Sequence, residues 1–387
     1  MTRPKTTTPG EVSKREPGQE LRAETVPKYR QIYDELRAAI EHGQYKAGDR
    51  LPSEAELGVQ YSASRITIAK AVRELQTQQL VSRRAGRGTH VLRQIQASGY
   101  VFGLLIPDLG RTEIFEPICR GIMQSPQAKS HSLLWGHAIA EEAMQEQEAI
   151  ALCEHYISKR VDGVFFAPLE LTLSMDATNQ RIVSALEEAG IAIVLLDRCF
   201  ARQPMRSRYD LVGIDNRRAG ALLTSHLLRL GAQRIAFVAR PNSASTVAAR
   251  MAGYREAIFE HGGVSEDLTG RGDPADPAFL RGLLDELHPD AIVCANDLTA
   301  AKLMANLIEL GYRIPAEMRV VGFDDVKYAS LLPVPLTTQH QNCEDIGAAA
   351  LRTMLQRLEN PSLPTLDVLL QTHTVVRRSC GAQLHGG

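Results

Sequence analysis

Between Ser62 and Val91 the chain holds six Lys or Arg residues and one acid, Glu74. Arg65, Thr67, Lys70 and Arg73 fall on one side of a helical pattern, opposite Ile68, Ala71, Val72 and Leu75. Cationic side chains in that pattern can neutralise phosphates and reach guanine edges. Thr67 can meet a phosphate or a thymine methyl. Arg84, Arg87 and the small Gly88 follow on a Gly/Arg-rich turn. There Gly86 and Gly88 can take the positive φ that a tight hairpin needs, so a wing could touch a nucleic-acid backbone or minor groove. A solvated basic helix beside a loop would have the same composition.

A second set of polar residues stands at the ends of short apolar runs: Asp108, Asp197–Arg198, Asp215–Asn216, Arg240, Asn296–Asp297 and Asp324–Asp325. Ligands of open α/β sheets bind outside the carboxyl ends of the strands. Asp, Asn, Arg and Gln there supply donors and acceptors for a polyhydroxylated molecule. The competing role is capping of the next helix. Capping is expected for Asp176, Asp215 and Asp297, and ligand contact for Asp197, Asn296 and Asp324.

These residues need two kinds of scaffold. Tyr29, Ile32, Tyr33, Leu36 and Ile40 recur at helical spacing, and Gly43 ends that helix. Ser53 with Glu56 three residues on is a capping box that opens a short second helix. A third helix starts near Ser64, and Leu80–Val91 reads as a β-hairpin. From residue 100 the pattern changes to apolar runs over 100–107, 132–138, 161–168, 191–197, 211–215, 234–240, 290–296 and 319–325, with amphipathic helical stretches between most of them. Unalternating apolar strands are buried on both faces, which means parallel sheets covered by helices. The fold class is therefore α/β: an N-terminal head of three helices and a β-hairpin plus a large domain of one sheet or two lobes. The expected division is a disordered tail over 1–26, a helical head over 27–92, a linker over 93–99 and the large domain over 100–380.

Charge follows this division. The net charge is −1, yet residues 1–98 carry 17 Lys/Arg against 11 Asp/Glu, and the remainder 27 against 34. That asymmetry points to an anionic partner for the head alone. No apolar run approaches the ~20 residues needed to cross a bilayer, and the first twenty residues lack the apolar core of a signal peptide. A cytoplasmic location without a membrane partner is expected. The six cysteines have no metal-type or C-x-x-C spacing and read as buried free thiols. His131 and His137 lie six apart, a poor arrangement for a metal, and no metal or cofactor is expected. No G-x-G-x-x-G, G-x-x-x-x-G-K-[ST] or G-x-S-x-G occurs in the large domain, which argues against an enzyme.

Residues 27–92 resemble the winged helix-turn-helix of the GntR family of bacterial transcription regulators. The resemblance rests on "GDRLPSEAELGVQYSASRITI" and "AVRELQTQQLVSRRAGRGTHV". It implies binding to double-stranded operator DNA through Arg37, Arg50, Glu54, Ser64, Arg65, Thr67 and Gly88. Ala69 stands where the family usually has a cation, with Lys70 next to it. Residues 100–380 resemble the LacI-type effector domain, itself similar to periplasmic sugar-binding proteins, through "VDGVFFAP", "GIAIVLLDR", "VGIDNRRAG", "DAIVCANDLTAAKLM", "RVVGFDDVKYA" and "PLTTQHQN". It implies ligand contact by Asp197, Arg250, Asn296, Asp324 and Gln341, and by Phe115 and Arg198. Arg250 is expected to fork onto ligand hydroxyls or a carboxylate. Gln341 is expected at a crossover between lobes. The chain departs from the family in lacking an Asn-Pro-Phe-Phe run near Phe115 and in placing Cys343 where an aromatic often stands.

Together the resemblances imply a ligand-responsive repressor that works as a homodimer. The arrangement is that of arabinose-repressor-like proteins, with other sugars, sugar acids and nucleobases open. A stand-alone sugar-binding or sugar-processing protein is the alternative.

Overall fold

The computed structural model describes residues 27–41, 44–46, 48–78, 80–84, 88–92, 99–106, 113–136, 144–201, 205–262 and 268–382. The expected tail, the linker over 93–98, Gly86, Arg87, Asp108 and His137 lie outside them. The chain divides into two units, Met1–Ser98 and Gly99–Gly387.

The first unit runs α1 (Lys28–Glu41), α2 (Glu54–Gln60), α3 (Arg65–Thr77), β1 (Val81–Arg84) and β2 (Gly88–Val91). The helical stripe predicted from the sequence packs as expected: Ile32, Leu36 and Ile40 of α1 share one core with Ile68, Val72 and Leu75 of α3. The Ser53–Glu56 capping box is present and starts α2. β1 and β2 are antiparallel from Val81↔Val91 to Arg84↔Gly88. Arg50 adds an antiparallel bridge to His90, which ties the segment before α2 onto the hairpin.

The second unit holds two lobes. In chain order its elements are β3 (Val101–Leu105), α4 (Phe115–Gln124), β4 (Ser132–Trp135), α5 (Gln145–Lys159), β5 (Gly163–Phe166), α6 (Met175–Glu188), β6 (Ala192–Leu196) and β7 (Asp210–Ile214). Then come α7 (Asn216–Arg229), β8 (Ile235–Ala239), α8 (Ser245–Glu260), β9 (Thr269–Arg271), α9 (Pro277–Leu287), β10 (Ala291–Cys294), α10 (Asp297–Glu309), β11 (Arg319–Asp324) and β12 (Thr337–His340). The unit ends with α11 (Cys343–Glu359), β13 (Asp367–Leu370) and β14 (His373–Val375).

The first sheet has the order β13-β7-β6-β5-β3-β4, and the second β14-β12-β11-β10-β8-β9. All neighbours are parallel except β12 and β14. Every residue of β5, β8 and β10 is buried, because helices cover both faces of each sheet. The backbone passes between the lobes after β7, after β12 and after β13, so three short strands of chain act as the joint.

The sequence reading missed β9, β12, β13 and β14. β12 is buried although it reads Thr-Thr-Gln-His: the Thr338 hydroxyl donates to Asp297 at 2.6 Å, and the Gln339 amide bonds Thr372 and Thr374 at 2.8 Å each. Asp215 caps α7 as expected. Asp297 does not cap α10; it is buried and accepts Thr338 Oγ1 and the Val326 N–H instead. Burial and the neighbouring Asp324 push its carboxyl well above the usual carboxylate range. Asp176 sits within the first turn of α6, beyond its N-cap, Ser174.

The six cysteines are free, and five of them are buried. Burial pushes the Cys119 and Cys153 thiols up to about 11. Among the described residues no helix is long and apolar enough to cross a membrane, and no group of His, Cys, Asp and Glu is arranged to hold a metal ion.

Candidate functional site

The first unit gathers part of its cationic set around one groove of about 680 Å³, lined by Arg50, Glu54, Arg65, Arg83 and Gly88 among others. Glu54, in the first turn of α2, holds two cations: Arg65 Nε at 3.5 Å and Arg83 Nη2 at 3.2 Å. Arg65 remains 85% exposed at its side chain, so this contact orients it without removing it from solvent. Ser64 caps α3. Its hydroxyl accepts the Thr67 N–H at 3.3 Å and bonds the Thr67 hydroxyl at 2.8 Å. Both predicted side chains therefore also serve the helix start.

Other predicted residues lie elsewhere. Lys70 does not extend the groove. Its ammonium sits 3.7 Å from the centre of the Tyr29 ring, on the flank that faces α1. Arg73 is exposed farther along α3, and Arg37 is half-buried on α1. Arg87 lies outside the described residues. Arg83, on β1, was missed by the sequence reading, which named Arg84 and Arg87 of the hairpin instead; its side chain is 58% exposed.

Gly88 has φ +87°, and a Cβ there would lie 2.7 Å from Arg50 Nε. Only glycine gives both the backbone angle and the space for that guanidinium. Gly48 has a similar φ, +91°, with open space around it. Both Gly→Ala changes are expected to cost about 1–2 kcal/mol of backbone strain. Gly88→Ala alone should displace Arg50 and weaken DNA binding, while Gly48→Ala should lose only stability. Thermal unfolding beside gel shifts of both variants checks this, and equal DNA affinities would remove Arg50 from the interface.

In the second unit, residues from several elements meet where the lobes join. Arg250 on α8 is 4% exposed. Its Nε donates to Asn216 Oδ1 at 2.8 Å, its Nη1 to the Ala295 carbonyl at 2.7 Å, and its Nη2 lies 3.4 Å from Asp324 Oδ1. The guanidinium stands 4.6 Å from the centre of the Phe323 ring. α7 and α8 approach closely enough that a Cβ on Gly220 would fall 2.1 Å from the Arg250 carbonyl oxygen. That approach sets the depth of Arg250. Where the sequence reading expected a free fork, Arg250 gives three of its five N–H groups to protein acceptors and organises the site.

Asp324 also accepts from Gln341 Nε2 at 2.5 Å, and Gln341 lies on the crossover between β12 and α11. Asp197 follows β6, with Oδ2 3.6 Å from Arg198 Nε. Arg198 donates through Nη1 to Glu170 and lies 5.2 Å from the centre of the buried Phe115 ring. Glu170 was missed by the sequence reading; it belongs to the loop after β5, outside any apolar pattern. Its second oxygen accepts the Ala244 N–H of the other lobe at 3.0 Å. Leu171 N–H donates to the Asn242 carbonyl at 2.7 Å beside it.

Asn296 is brought to the neighbouring strand end, but its Oδ1 caps α10 by accepting the Thr299 N–H at 2.8 Å. Capping, the role set second for it in the sequence reading, is the one observed.

The site carries strain and charge. Asp197, Asp324 and Asp325 have φ of +64°, +109° and +54°, conformations that persist only where surroundings impose them. Burial pushes the Asp197 carboxyl up, against the pull of Arg198 and Arg250. Burial likewise raises Asp324 to about 6, with Arg250 opposing and Asp197 adding to it. Cavities of about 440 and 450 Å³ reach this group, the first at Asp197 and Arg198, the second at Asp324 and Gln341. Asp197 Oδ1 and Gln341 Oε1 are buried without a hydrogen-bond partner. Such atoms are costly to leave unpaired and mark a place where a bound molecule would donate.

Known proteins share both parts. Residues 28–91 match the model of the bacterial regulatory proteins of the gntR family, and residues 224–380 that of the periplasmic binding protein-like domain. An arabinose metabolism transcriptional repressor of Geobacillus stearothermophilus is 26% identical over 373 residues, 93% of this chain and 99% of its own. A ribose operon repressor of Halalkalibacterium halodurans is 29% identical over 73% of this chain and 80% of its own. The crystal structure of a transcription regulator GntR from Chromobacterium violaceum superposes with a TM-score of 0.57 at 27% identity, over 72% of this chain and 98% of that one. The chain is a transcription regulator, not an enzyme, that joins a gntR-family helix-turn-helix to a periplasmic-binding-protein-like domain and is homologous to LacI-type repressors.

Proposed function

We propose that the chain is a cytoplasmic, homodimeric repressor that leaves its operator when a sugar enters the cleft between the lobes. The groove around Arg50, Arg65 and Arg83 is the DNA-reading face. Arg65 and Thr67 open the recognition helix, and Arg50 and Gly88 lie beside the wing. Two heads on a dimer read two half-sites. The observation that carries the effector reading is the pair of buried, unpartnered acceptors on Asp197 and Gln341, held next to Asp324 and Arg250. A polyhydroxylated ligand satisfies them and bridges the lobes, since Asp197 follows a strand of one sheet and Asp324 a strand of the other.

The relatives named for arabinose metabolism and the ribose operon make a pentose the first candidate. Whatever the ligand, it shifts the regulator only by its differential affinity for the two lobe arrangements.

An operator selected from a random DNA pool, followed by gel shifts across a salt series, tests the head; a specific, salt-sensitive shift is expected. Adding L-arabinose or D-ribose should then release the DNA. A chain that selects no DNA sequence overturns the operator reading, and a complex indifferent to every monosaccharide overturns the effector reading.

A further inference from the structure

α3 turns one large apolar side chain outward. Ile68, Ala71, Val72 and Leu75 form its buried face. At about 3.6 residues per turn, Ile66 and Arg73 point directly away from that face, with Ala69 between them. Ile66 is 83% exposed. A single exposed Ile on an ordinary surface needs no explanation. This one has a specific address. It stands in the first turn of α3, the end at which a recognition helix meets base edges. Arg65 precedes it and lines the groove with Arg50 and Arg83, and Arg73 is exposed two turns farther along.

The polar neighbours of Ile66 are engaged elsewhere. Thr67, to which the sequence gave a phosphate or a thymine methyl, is half-buried, and its N–H and hydroxyl both bond Ser64. Lys70 is drawn onto the Tyr29 ring. The outward stripe between Arg65 and Arg73 is therefore Ile66 and Ala69, whose side chains form no hydrogen bonds. Such a stripe tells bases apart only by apolar contact. In the major groove the C5-methyl of thymine is the apolar group that a base edge presents. The cations on either side favour a polyanion over an apolar protein surface. The small Ala69 leaves room for the base edge to come down onto Ile66.

Resting on the reading of the first unit as the DNA-binding head, we propose that Ile66 is a specificity-determining residue that packs on the 5-methyl group of an operator thymine.

The test uses the full chain and an operator selected from a random DNA pool. One position at a time, thymine is replaced by deoxyuridine, which removes the methyl and keeps every hydrogen-bonding group. Gel shifts compare wild type with Ile66→Ala. Thermal unfolding is expected to be the same for both proteins, because the side chain is exposed. In wild type, deoxyuridine at one or more thymine positions is expected to weaken binding about three- to tenfold, the effect of one methyl lost from an apolar contact. At such a position Ile66→Ala is expected to distinguish thymine from deoxyuridine by less than about twofold, since the cycle removes both partners of one contact. A wild type indifferent to deoxyuridine everywhere overturns the proposal. A variant that keeps the full discrimination also overturns it, and assigns the methyl to another group such as Thr67. Either result leaves the operator reading standing. A chain that selects no DNA sequence overturns the operator reading, and the proposal falls with it.

Discussion

Arg65→Ala lowers operator affinity by about 10- to 100-fold, the loss of about 1–3 kcal/mol that goes with one good base or phosphate contact. Effector affinity stays at the wild-type value, because Arg65 belongs to the first unit and the cleft to the second. Stability changes little. The side chain is 85% exposed, and its contact to Glu54 is a surface pair worth about 0–1 kcal/mol. Gel shifts over a salt series also say what the residue touches. If Arg65 meets a phosphate, the variant binds all sequences more weakly and the salt slope falls by about 1. If it meets a guanine edge, the slope holds and one operator position loses its preference. An unchanged shift removes Arg65 from the interface. Ala69 and Lys70 make this residue matter more than usual in such a helix. With Lys70 drawn onto the Tyr29 ring, Arg65 is the described cation of α3 that lines the groove.

The head was legible to a fine grain, because its local signals agree. The Ser53–Glu56 box, the Ser64 cap and the Ile68–Leu75 stripe each act within one or two helical turns, and the structure places all three as read. In the second unit the apolar runs announced the parallel sheets for the same reason.

What escaped was buried polar structure. β12 is a core strand of threonine and glutamine whose cost of burial is met by side-chain partners 33 to 41 residues away. Only a tertiary contact reveals such partners. Asp297 and Asn296 show the same limit side by side. Both stand at the start of α10, yet Asn296 caps the helix and Asp297 turns into the core, because Thr338 is there to receive it. Glu170 and Arg83 likewise acquire their roles from residues distant in the chain, Arg198 and Ala244 for the first and Glu54 for the second.

Asp324→Ala keeps operator binding and loses the response to ligand. Asp324 Oδ1 receives Gln341 and faces Arg250, so its removal frees the crossover residue and unbalances a buried guanidinium. Loss of one hydrogen-bonded charge from a buried ligand set costs about 2–5 kcal/mol of binding, enough to abolish induction at ordinary sugar concentrations. Asp324→Asn separates charge from shape, since it keeps a side chain of the same size. The pH dependence supplies an independent reading. The Asp324 carboxyl is raised from an ordinary 3.8 to about 6 in the folded protein. Between those values the folded state holds a proton that the unfolded chain releases, so the Asp324 contribution to stability falls as pH rises from 4 to 6 and levels above it. Asp197 and Asp297 are shifted in the same direction and steepen the fall. Asp324→Asn should flatten this slope in thermal unfolding measured across that range, and it should bind neutral sugar more weakly at pH 7.5. A variant that still releases DNA on adding the effector takes Asp324 out of the site. A variant with the wild-type pH slope shows instead that its carboxyl does not carry the buried charge at the joint between the lobes.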